Sequence, residues 1–182
     1  STVSRSFVKA SAAQLKAFQE RDLSSQRYVA LFLDGKTFAD DTMVIALGVN
    51  EDGAKRFLGF VETGTENERV LSGFLGSLMD RGLDVSGGLL VVIDGGKGQL
   101  SAAYEAFGAL GLANLVAVGL AKKEELIFTR DAADPIILEP NSAALLLLQR
   151  LRDEAHRFAL QKHRKLREKR TLTSGLDTIP GI

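Results

Sequence analysis

The sequence predicts an α/β fold that contains one mixed, five-stranded sheet with helices on both faces and a long C-terminal helix. Residues 28–34 and 89–94 are short apolar segments, and each ends in an aspartate, Asp34 or Asp94, that glycine follows. The second segment is rich in β-branched residues, which is typical of a strand buried on both faces in a parallel sheet. Apolar residues at helical spacing lie on either side of this strand in the chain.

The first 27 residues form a predicted helical extension that precedes the main domain, which covers residues 28–182. Ser11 and Gln14 have the spacing of a capping box, in which each side chain bonds the backbone N–H of the other residue. This pattern predicts a helix over residues 12–21. The extension carries no residue that suggests chemistry.

The main domain begins with three strands that follow one another closely. They are expected at residues 28–34, 42–49 and 57–61. Asp52 and Gly53 form a hairpin signal between the second and the third strand. Because short connections of this kind join antiparallel neighbours, the three strands predict a meander.

The rest of the domain alternates helices and strands. Apolar residues at helical spacing predict a helix over residues 67–80. The elements expected after it are a strand at 89–94, a helix at 99–110, a strand at 115–120 and a small hairpin at 126–129 and 136–138 outside the main sheet. Asn141 or Ser142 then caps a long final helix that reaches about Lys169.

The predicted order, β-β-β-α-β-α-β, is that of the ribonuclease-H-like fold. In that fold the first strand is central and lies beside the fourth, so the order places Asp34 next to Asp94. Ligands bind at the carboxyl edge of open α/β sheets, and Gly95, Gly96 and Gly98 allow a sharp turn there with room beside the acid. An alternative is that Asp94 merely caps the following helix.

Two adjacent carboxylates predict a metal site, because such acids repel each other unless a cation lies between them. Oxygen ligands in a chain without cysteine favour Mg²⁺ or Mn²⁺. Two such ions about 4 Å apart can activate water and stabilise the leaving oxygen during cleavage of a phosphodiester. A third ligand or a general base is required in addition to Asp34 and Asp94.

The final helix offers Asp153, Glu154 and His156 for this third role. His156 flanks the apolar stripe of the helix, so its imidazole can point along the edge of the sheet toward Asp94. Alternatively, His156 is a half-buried histidine that bonds a backbone carbonyl. We expect His163 to belong to the solvated, basic face of the same helix.

The second half of the final helix is strongly basic, although the whole chain has a formal net charge of zero. A positive stripe beside a pair of acids suits the binding of a phosphate backbone. Further lysines follow the predicted strands at their carboxyl ends. The predicted DNA-binding residues are Lys97, Lys122, Lys123, Arg157, Arg164 and Lys165. The alternative for the basic stretch is a solvated helix face.

Composition restricts the remaining possibilities. The chain has 182 residues, which suits one domain with a substantial core. The absence of cysteine excludes disulfides, thiolate zinc sites and cysteine nucleophiles. The apolar segments are too short to span a bilayer, and the N-terminus lacks the apolar segment of a signal peptide. We therefore expect a soluble, cytoplasmic protein.

From Lys97 onward the chain resembles the C-terminal endonuclease domain of UvrC, the incision subunit of bacterial nucleotide excision repair. The matching segments are IDGGKGQL, VGLAK, LQRLRDEAHRF and LDTIPGI, at residues 93–100, 118–122, 148–158 and 176–182. The resemblance implies a ribonuclease-H-like fold, cleavage of a DNA strand with a divalent metal, and excision-repair subunits as partners. The resemblance implies that Asp94 corresponds to the second aspartate of that family's site and that His156 corresponds to its histidine.

The front part of the chain, up to about Asp94, is instead similar to Mutator-type insertion-sequence transposases. The segments TVSRSFV, ALFLDGKTF, VIALGV and TENE carry this resemblance, at residues 2–8, 30–38, 44–49 and 65–68. These enzymes also have a ribonuclease-H-like core, with an Asp-Asp-Glu site. Their two aspartates match Asp34 and Asp94, whereas their glutamate lies in a region that this chain does not contain.

The two resemblances meet near Asp94, so we expect a chimera of the two families, natural or engineered. The leading hypothesis is a metal-dependent DNA endonuclease domain in which Asp34 and Asp94 hold the metal and His156 is the third ligand or the general base. The helix-hairpin-helix pair of UvrC would begin about where this chain stops, so weak DNA affinity is expected. The alternatives are a recombined domain with little or no activity, and a transposase fragment that binds DNA without cutting it.

Overall fold

The computed structural model of the chain describes residues 2–38, 41–63, 68–121 and 125–157, with side chains except at 2–9, 11, 36–38, 41 and 42. In order, they form helix α1 (Thr2–Glu20), strands β1 (Tyr28–Phe38), β2 (Asp41–Asn50) and β3 (Lys55–Thr63), helix α2 (Glu68–Asp80), strand β4 (Leu90–Asp94), helix α3 (Lys97–Ala109), and strands β5 (Val116–Ala121) and β6 (Leu126–Phe128). A final helix, α4, is described over residues 143–157, and its predicted continuation to Lys169 lies outside the described residues. Among the helices described, none is long and apolar enough to cross a membrane.

The six strands form one sheet in the order β3-β2-β1-β4-β5-β6. Strand β1 is parallel to β4, and β4 is parallel to β5, whereas the other three neighbouring pairs are antiparallel. The first strand is therefore central and lies beside the fourth. This arrangement confirms the predicted α/β, ribonuclease-H-like fold with a mixed sheet.

The sheet has six strands rather than the predicted five, because the first half of the expected peripheral hairpin joins it. Strand β6 pairs antiparallel with β5 over three residues, from Gly119 with Phe128 to Ala121 with Leu126. The prediction that this segment lies outside the main sheet was wrong, since the outer edge of β5 carries backbone groups that require hydrogen-bond partners. The second half of the hairpin is a single bridge between Ile127 and Ile136.

Helix α1 is longer than predicted, and Ser11 lies in its interior rather than at its N-cap. The capping-box prediction was therefore wrong. The segment Thr2–Glu20 contains neither glycine nor proline, so nothing in it ends a helix before residue 20. The C-terminal part of α1 packs on the sheet through Leu15 and Phe18, and the Phe18 ring stacks on that of Phe57 at a centroid distance of 5.2 Å.

Helix α4 begins at one of the two predicted caps. The Oγ atom of Ser142 accepts a hydrogen bond from the backbone N–H of Leu145 at 3.3 Å. The carbonyl oxygen of Ser142 accepts one from the N–H of Leu146 at 3.0 Å. Asn141 precedes the cap in the left-handed region, with φ of +70°. Ser142 is therefore the N-cap, because its hydroxyl satisfies one of the N–H groups that the first turn leaves without an intrahelical acceptor.

Two apolar clusters lie on opposite faces of the sheet, as expected for helices on both faces. Helices α2 and α3 cover one face, where Leu78 and Phe107 are buried. Helices α1 and α4 cover the other face, where Leu151 and Ala155 of α4 share a cluster with Phe32 of β1. The apolar stripe of α4 thus determines which side of that helix faces the sheet.

Arginine side chains attach the C-terminal end of α1 to β3, an outermost strand of the sheet. Arg81 donates to the carbonyl oxygen of Arg21 at 3.0 Å and to that of Leu58 at 2.9 Å. Arg21 donates to the carbonyl oxygens of Phe18 and Phe57. Burial lowers the pKa of both guanidinium groups, but arginine remains charged in proteins. These charge-assisted bonds therefore satisfy backbone carbonyls along the edge of the sheet.

We expect Arg81→Met to lower the free energy of unfolding by about 2 kcal/mol, because hydrogen bonds to a charged group contribute about 1.5–3 kcal/mol. Urea denaturation followed by circular dichroism measures the change. Arg69→Met is the control, since Arg69 is exposed on α2 and its replacement should change the stability by less than about 0.5 kcal/mol. Equal effects of the two substitutions would contradict a stabilising role of Arg81.

Candidate metal centre

Strands β1 and β4 place two carboxylates side by side. Asp34 and Asp94 are register partners in this parallel pair, so both side chains leave the sheet on the same face. Asp34 is fully buried, and Asp94 is 8% exposed. The prediction that the two acids are neighbours is confirmed, and both lie in a region that water hardly reaches.

The two acids differ in their position along their strands. Strand β1 continues past Asp34 to Phe38, because it pairs with β2 beyond the end of β4, so the expectation that Asp34 ends its strand was wrong. Asp94 does end β4. The N-cap of α3 is Gly96, whose N–H donates to Gln99 Oε1 at 3.2 Å. The alternative in which Asp94 is the cap of α3 is therefore wrong.

Helix α4 brings His156 to the two carboxylates. Its Nε2 atom lies 3.0 Å from Asp94 Oδ2 and 3.2 Å from Asp34 Oδ2. One potential ligand atom from each of the three residues lies within 4.8 Å of the other two. The imidazole therefore faces both acids, which is the arrangement that the leading hypothesis requires.

The packing of α4 determines which of its polar residues reaches the acids. Ala155 is buried against the sheet, and His156 flanks it. Glu154 instead forms an ion pair with Lys55, whose Nζ lies 2.9 Å from the carboxylate. The side chain of Asp153 is 75% exposed. Of the three candidates that the sequence left open, His156 is therefore the one that joins the acid pair.

The donor set fits a divalent cation. Two buried carboxylates of like charge are stabilised together when a cation compensates them. Carboxylate oxygens and an imidazole nitrogen are donors that suit Mg²⁺, Mn²⁺ and related ions. Ligands on opposite sides of Mg²⁺ are about 4.2 Å apart, which is close to the 4.8 Å that encloses the three donors. Asp34, Asp94 and His156 could therefore hold such an ion after small shifts.

Two of the six predicted DNA-binding residues, Arg157 and Lys97, lie in the described part of the chain. Arg157 is exposed beside His156, and its guanidinium lies 3.4 Å from Glu154. Lys97 donates to the carbonyl oxygen of Ala133, and its ammonium lies 5.9 Å from the centre of the Phe128 ring. Lys97 therefore holds the loop after β6 against the start of α3. Outside the described residues lie Lys122, Lys123, Arg164, Lys165 and His163.

Two contacts of arginine side chains were not predicted. Arg152 bonds both carboxylate oxygens of Glu125, at 2.8 and 2.7 Å. These hydrogen bonds raise the pKa of Arg152 against the opposing effect of burial, and the charge of Asp94 acts in the same direction as the bonds. Arg130 lies 4.8 Å above the ring of Tyr104 and borders a cavity of about 340 Å³. Both pairs join residues far apart in the chain, so no local pattern could have indicated them.

The turn that follows Asp94 lies directly on β5. The N–H of Gly95 donates to the carbonyl oxygen of Leu120 at 3.0 Å. A Cβ atom at Gly119 would lie 2.9 Å from the carbonyl oxygen of Gly95 and 3.4 Å from that of Gly96. Because backbone atoms cannot rotate away as a side chain can, position 119 requires glycine for the turn to keep its place.

We expect Gly119→Ala to weaken Mn²⁺ binding by about 10–100-fold, the range found when the support of a metal ligand is lost. The added methyl group would displace the turn next to Asp94. Electron paramagnetic resonance of free Mn²⁺ measures the affinity. Gly108→Ala is the control, since a Cβ there would meet no described atom within 4 Å. Unchanged affinity in Gly119→Ala would show that the turn does not position Asp94.

The sheet order and the cluster of two aspartates and a histidine define a domain of the ribonuclease-H-like class. The chain belongs to the Mutator transposase family, because the family model described as "Transposase, Mutator family" matches residues 1–113, more than half of its length. Residues 81–160 match the family model of the UvrC RNAse H endonuclease domain. Both families that the sequence resembles thus have models that match the chain, as predicted, and the overlap of the two matches contains Asp94.

Curated relatives of the chain are UvrABC system C proteins. Those of Chlorobium luteolum and Dehalococcoides mccartyi are 54% and 55% identical over 93 residues, which is 51% of this chain and 15% of each relative. That of Prosthecochloris aestuarii is 41% identical over 165 residues, which is 91% of this chain and 25% of the relative. The longer alignment shows that the front part also aligns with a UvrABC system C protein. The chain spans a quarter or less of these relatives.

Proposed function

We propose that this chain is a metal-dependent DNA endonuclease domain of the UvrC type, which uses Mg²⁺ or Mn²⁺. The observation that carries the proposal is the convergence of Asp34, Asp94 and His156 within 4.8 Å. The match to the UvrC RNAse H endonuclease domain supports it. By the names of the relatives, other components of the UvrABC system are the partners we propose besides DNA.

The residues of the centre have distinct tasks in this proposal. Mg²⁺ or Mn²⁺, when bound, supplies activation of water and stabilisation of the leaving oxygen. Asp34 and Asp94 hold the ion from the sheet, and their burial keeps the carboxylates in place. His156 approaches from α4 and acts either as the third ligand or as the general base. Both tasks use the lone pair of Nε2, so the imidazole performs one of them at a time.

A phosphate that approaches two carboxylates needs positive charge nearby. Arg157 follows His156 directly and is exposed on α4. Its side chain can therefore meet a phosphate backbone, where contacts with arginine and lysine dominate affinity.

Nicking of supercoiled plasmid in the presence of Mn²⁺ tests the proposed function. We expect the wild-type protein to convert the plasmid to the open circle, and Asp34→Asn to slow this conversion by more than about 100-fold, because a direct ligand should matter more than a supporting residue. Asp80→Asn, an equal change of charge at an exposed position, should cut at the wild-type rate. Equal rates for Asp34→Asn and the wild type would contradict the proposal.

DNA binding without cleavage is the second candidate, and the match of residues 1–113 to the Mutator transposase family favours it. It predicts a salt-dependent shift of DNA in a gel, because phosphate contacts release counterions. No nicking would accompany the shift at any Mn²⁺ concentration. A shift without nicking would therefore select this function over the endonuclease.

A further inference from the structure

One ion pair holds α4 to each outer part of the sheet. Lys55, at the start of β3, bonds Glu154 at 2.9 Å. Glu125, directly before β6, bonds Arg152 through two guanidinium nitrogens. Strands β3 and β6 are the two outermost strands, so α4 is attached at both sides of the sheet while it carries His156 over the acids.

The pair of Glu125 and Arg152 has the geometry to orient His156. Arg152 precedes His156 by four residues, about one helical turn, so the two side chains share a face of α4. The two N–H groups of the guanidinium meet two oxygens at 2.8 and 2.7 Å, and such a parallel arrangement restricts both distance and angle. Both side chains are largely shielded from solvent, which weakens screening of the pair.

The backbone conformation of Glu125 also supports a role for this residue in orienting His156. Its φ of +53° lies in the left-handed region, which residues other than glycine rarely adopt. Such conformations persist where the surrounding structure enforces them, and they cluster at functional sites. The chain then enters β6, which pairs with β5, and β5 pairs with β4, the strand that carries Asp94. Glu125 thus connects the guanidinium to the sheet that carries the acids.

We propose that Glu125 and Arg152 form a positioning pair that holds the imidazole of His156 against Asp34 and Asp94. Neither member of the pair is a ligand in the proposed centre. The guanidinium instead sets the rotation of α4 at the turn from which His156 projects. The metal measurement below rests on the proposed function, whereas the effect on His156 is present in the metal-free protein.

Nuclear magnetic resonance of the metal-free protein tests the pair independently of catalysis. The chain contains two histidines, His156 and His163, so the variant His163→Gln assigns the imidazole signals. We expect Arg152→Met and Glu125→Gln to shift the ring signals of His156. Arg150→Met is the matched control, because it removes the same charge from an exposed position of the same helix, and it should leave these signals unchanged.

The affinity for Mn²⁺ is the second readout. Each single substitution should weaken binding by about 10–100-fold, as is typical when the support of a metal-ligating histidine is lost. The double variant should be no weaker than either single one, because each loss breaks the whole pair. Arg150→Met should bind Mn²⁺ like the wild type.

The outcomes separate the two proposals. Unchanged His156 signals in both Arg152→Met and Glu125→Gln would overturn the positioning pair, as would wild-type Mn²⁺ affinity in both. If Arg152→Met does not fold, Glu125→Gln tests the positioning pair, since this substitution preserves the size of the side chain. A wild-type protein that binds no Mn²⁺ would overturn the proposed function. The ring signals of His156 would then be the one remaining test of the positioning pair.

Discussion

Asp94→Asn is expected to abolish the thermal stabilisation that Mn²⁺ gives to this protein. A ligand present at 100 times its dissociation constant stabilises the folded state by about 2.7 kcal/mol. For a domain of this size, each kcal/mol changes the melting temperature by about 2–4 °C, so Mn²⁺ should raise that of the wild type by roughly 5–11 °C. Asparagine keeps the size of aspartate but loses the charge that holds the ion. Differential scanning calorimetry measures both temperatures.

The control for Asp94→Asn is Asp80→Asn, which removes a carboxylate from an exposed position at the end of α2. This variant should show the full Mn²⁺-dependent rise. A rise in Asp94→Asn as large as that of the wild type would show that the ion binds elsewhere. The comparison needs no substrate, so it tests the metal site separately from cleavage.

Phe32→Ala is expected to cause the largest loss of stability, about 3–5 kcal/mol, which is typical when a buried phenylalanine is truncated. Phe32 is 0% exposed, and it belongs to the cluster that contains Leu151 and Ala155 of α4. The cavity would lie beneath the helix that carries His156. A fall of roughly 6–20 °C in melting temperature should result, and urea denaturation should give the free energy directly.

Val29→Ala is the control for Phe32→Ala, because Val29 lies on the same strand but is 43% exposed. It should change the stability by less than about 1 kcal/mol, since little apolar area is lost from the core. If Phe32→Ala were no more destabilising than Val29→Ala, the packing of α4 on β1 would not be a main source of stability.

The position of the acid pair could be predicted because it depends on element order and hydrophobic patterning. Once the first strand lies beside the fourth, residues at equivalent positions of parallel strands become neighbours, and this is what Asp34 and Asp94 do. The apolar stripe of α4 similarly limits the directions open to His156. These features depend on many residues at once, so small errors at element ends do not change them.

Some features that the sequence did not predict depend on particular contacts between distant segments. The bond between Glu125 and Arg152 requires the turn before β6 and a turn of α4 to meet, and neither segment contains a local sign of the other. The pairing of β6 with β5 joins segments that are close in the chain, and it depends on the backbone groups that the outer edge of β5 offers rather than on a hydrophobic pattern. Ser11 shows a different difficulty, because a capping motif within a stretch without helix breakers competes with continuation of the helix, and the helix continues.

The most direct test of the metal centre is a crystal structure of the protein soaked in Mn²⁺, with anomalous diffraction to locate the ion. We expect a strong anomalous peak in contact with a carboxylate oxygen of Asp34 and one of Asp94, near Nε2 of His156. A well-diffracting, Mn²⁺-soaked crystal with no peak between the two carboxylates, or with its strong peak at other residues, would contradict this expectation.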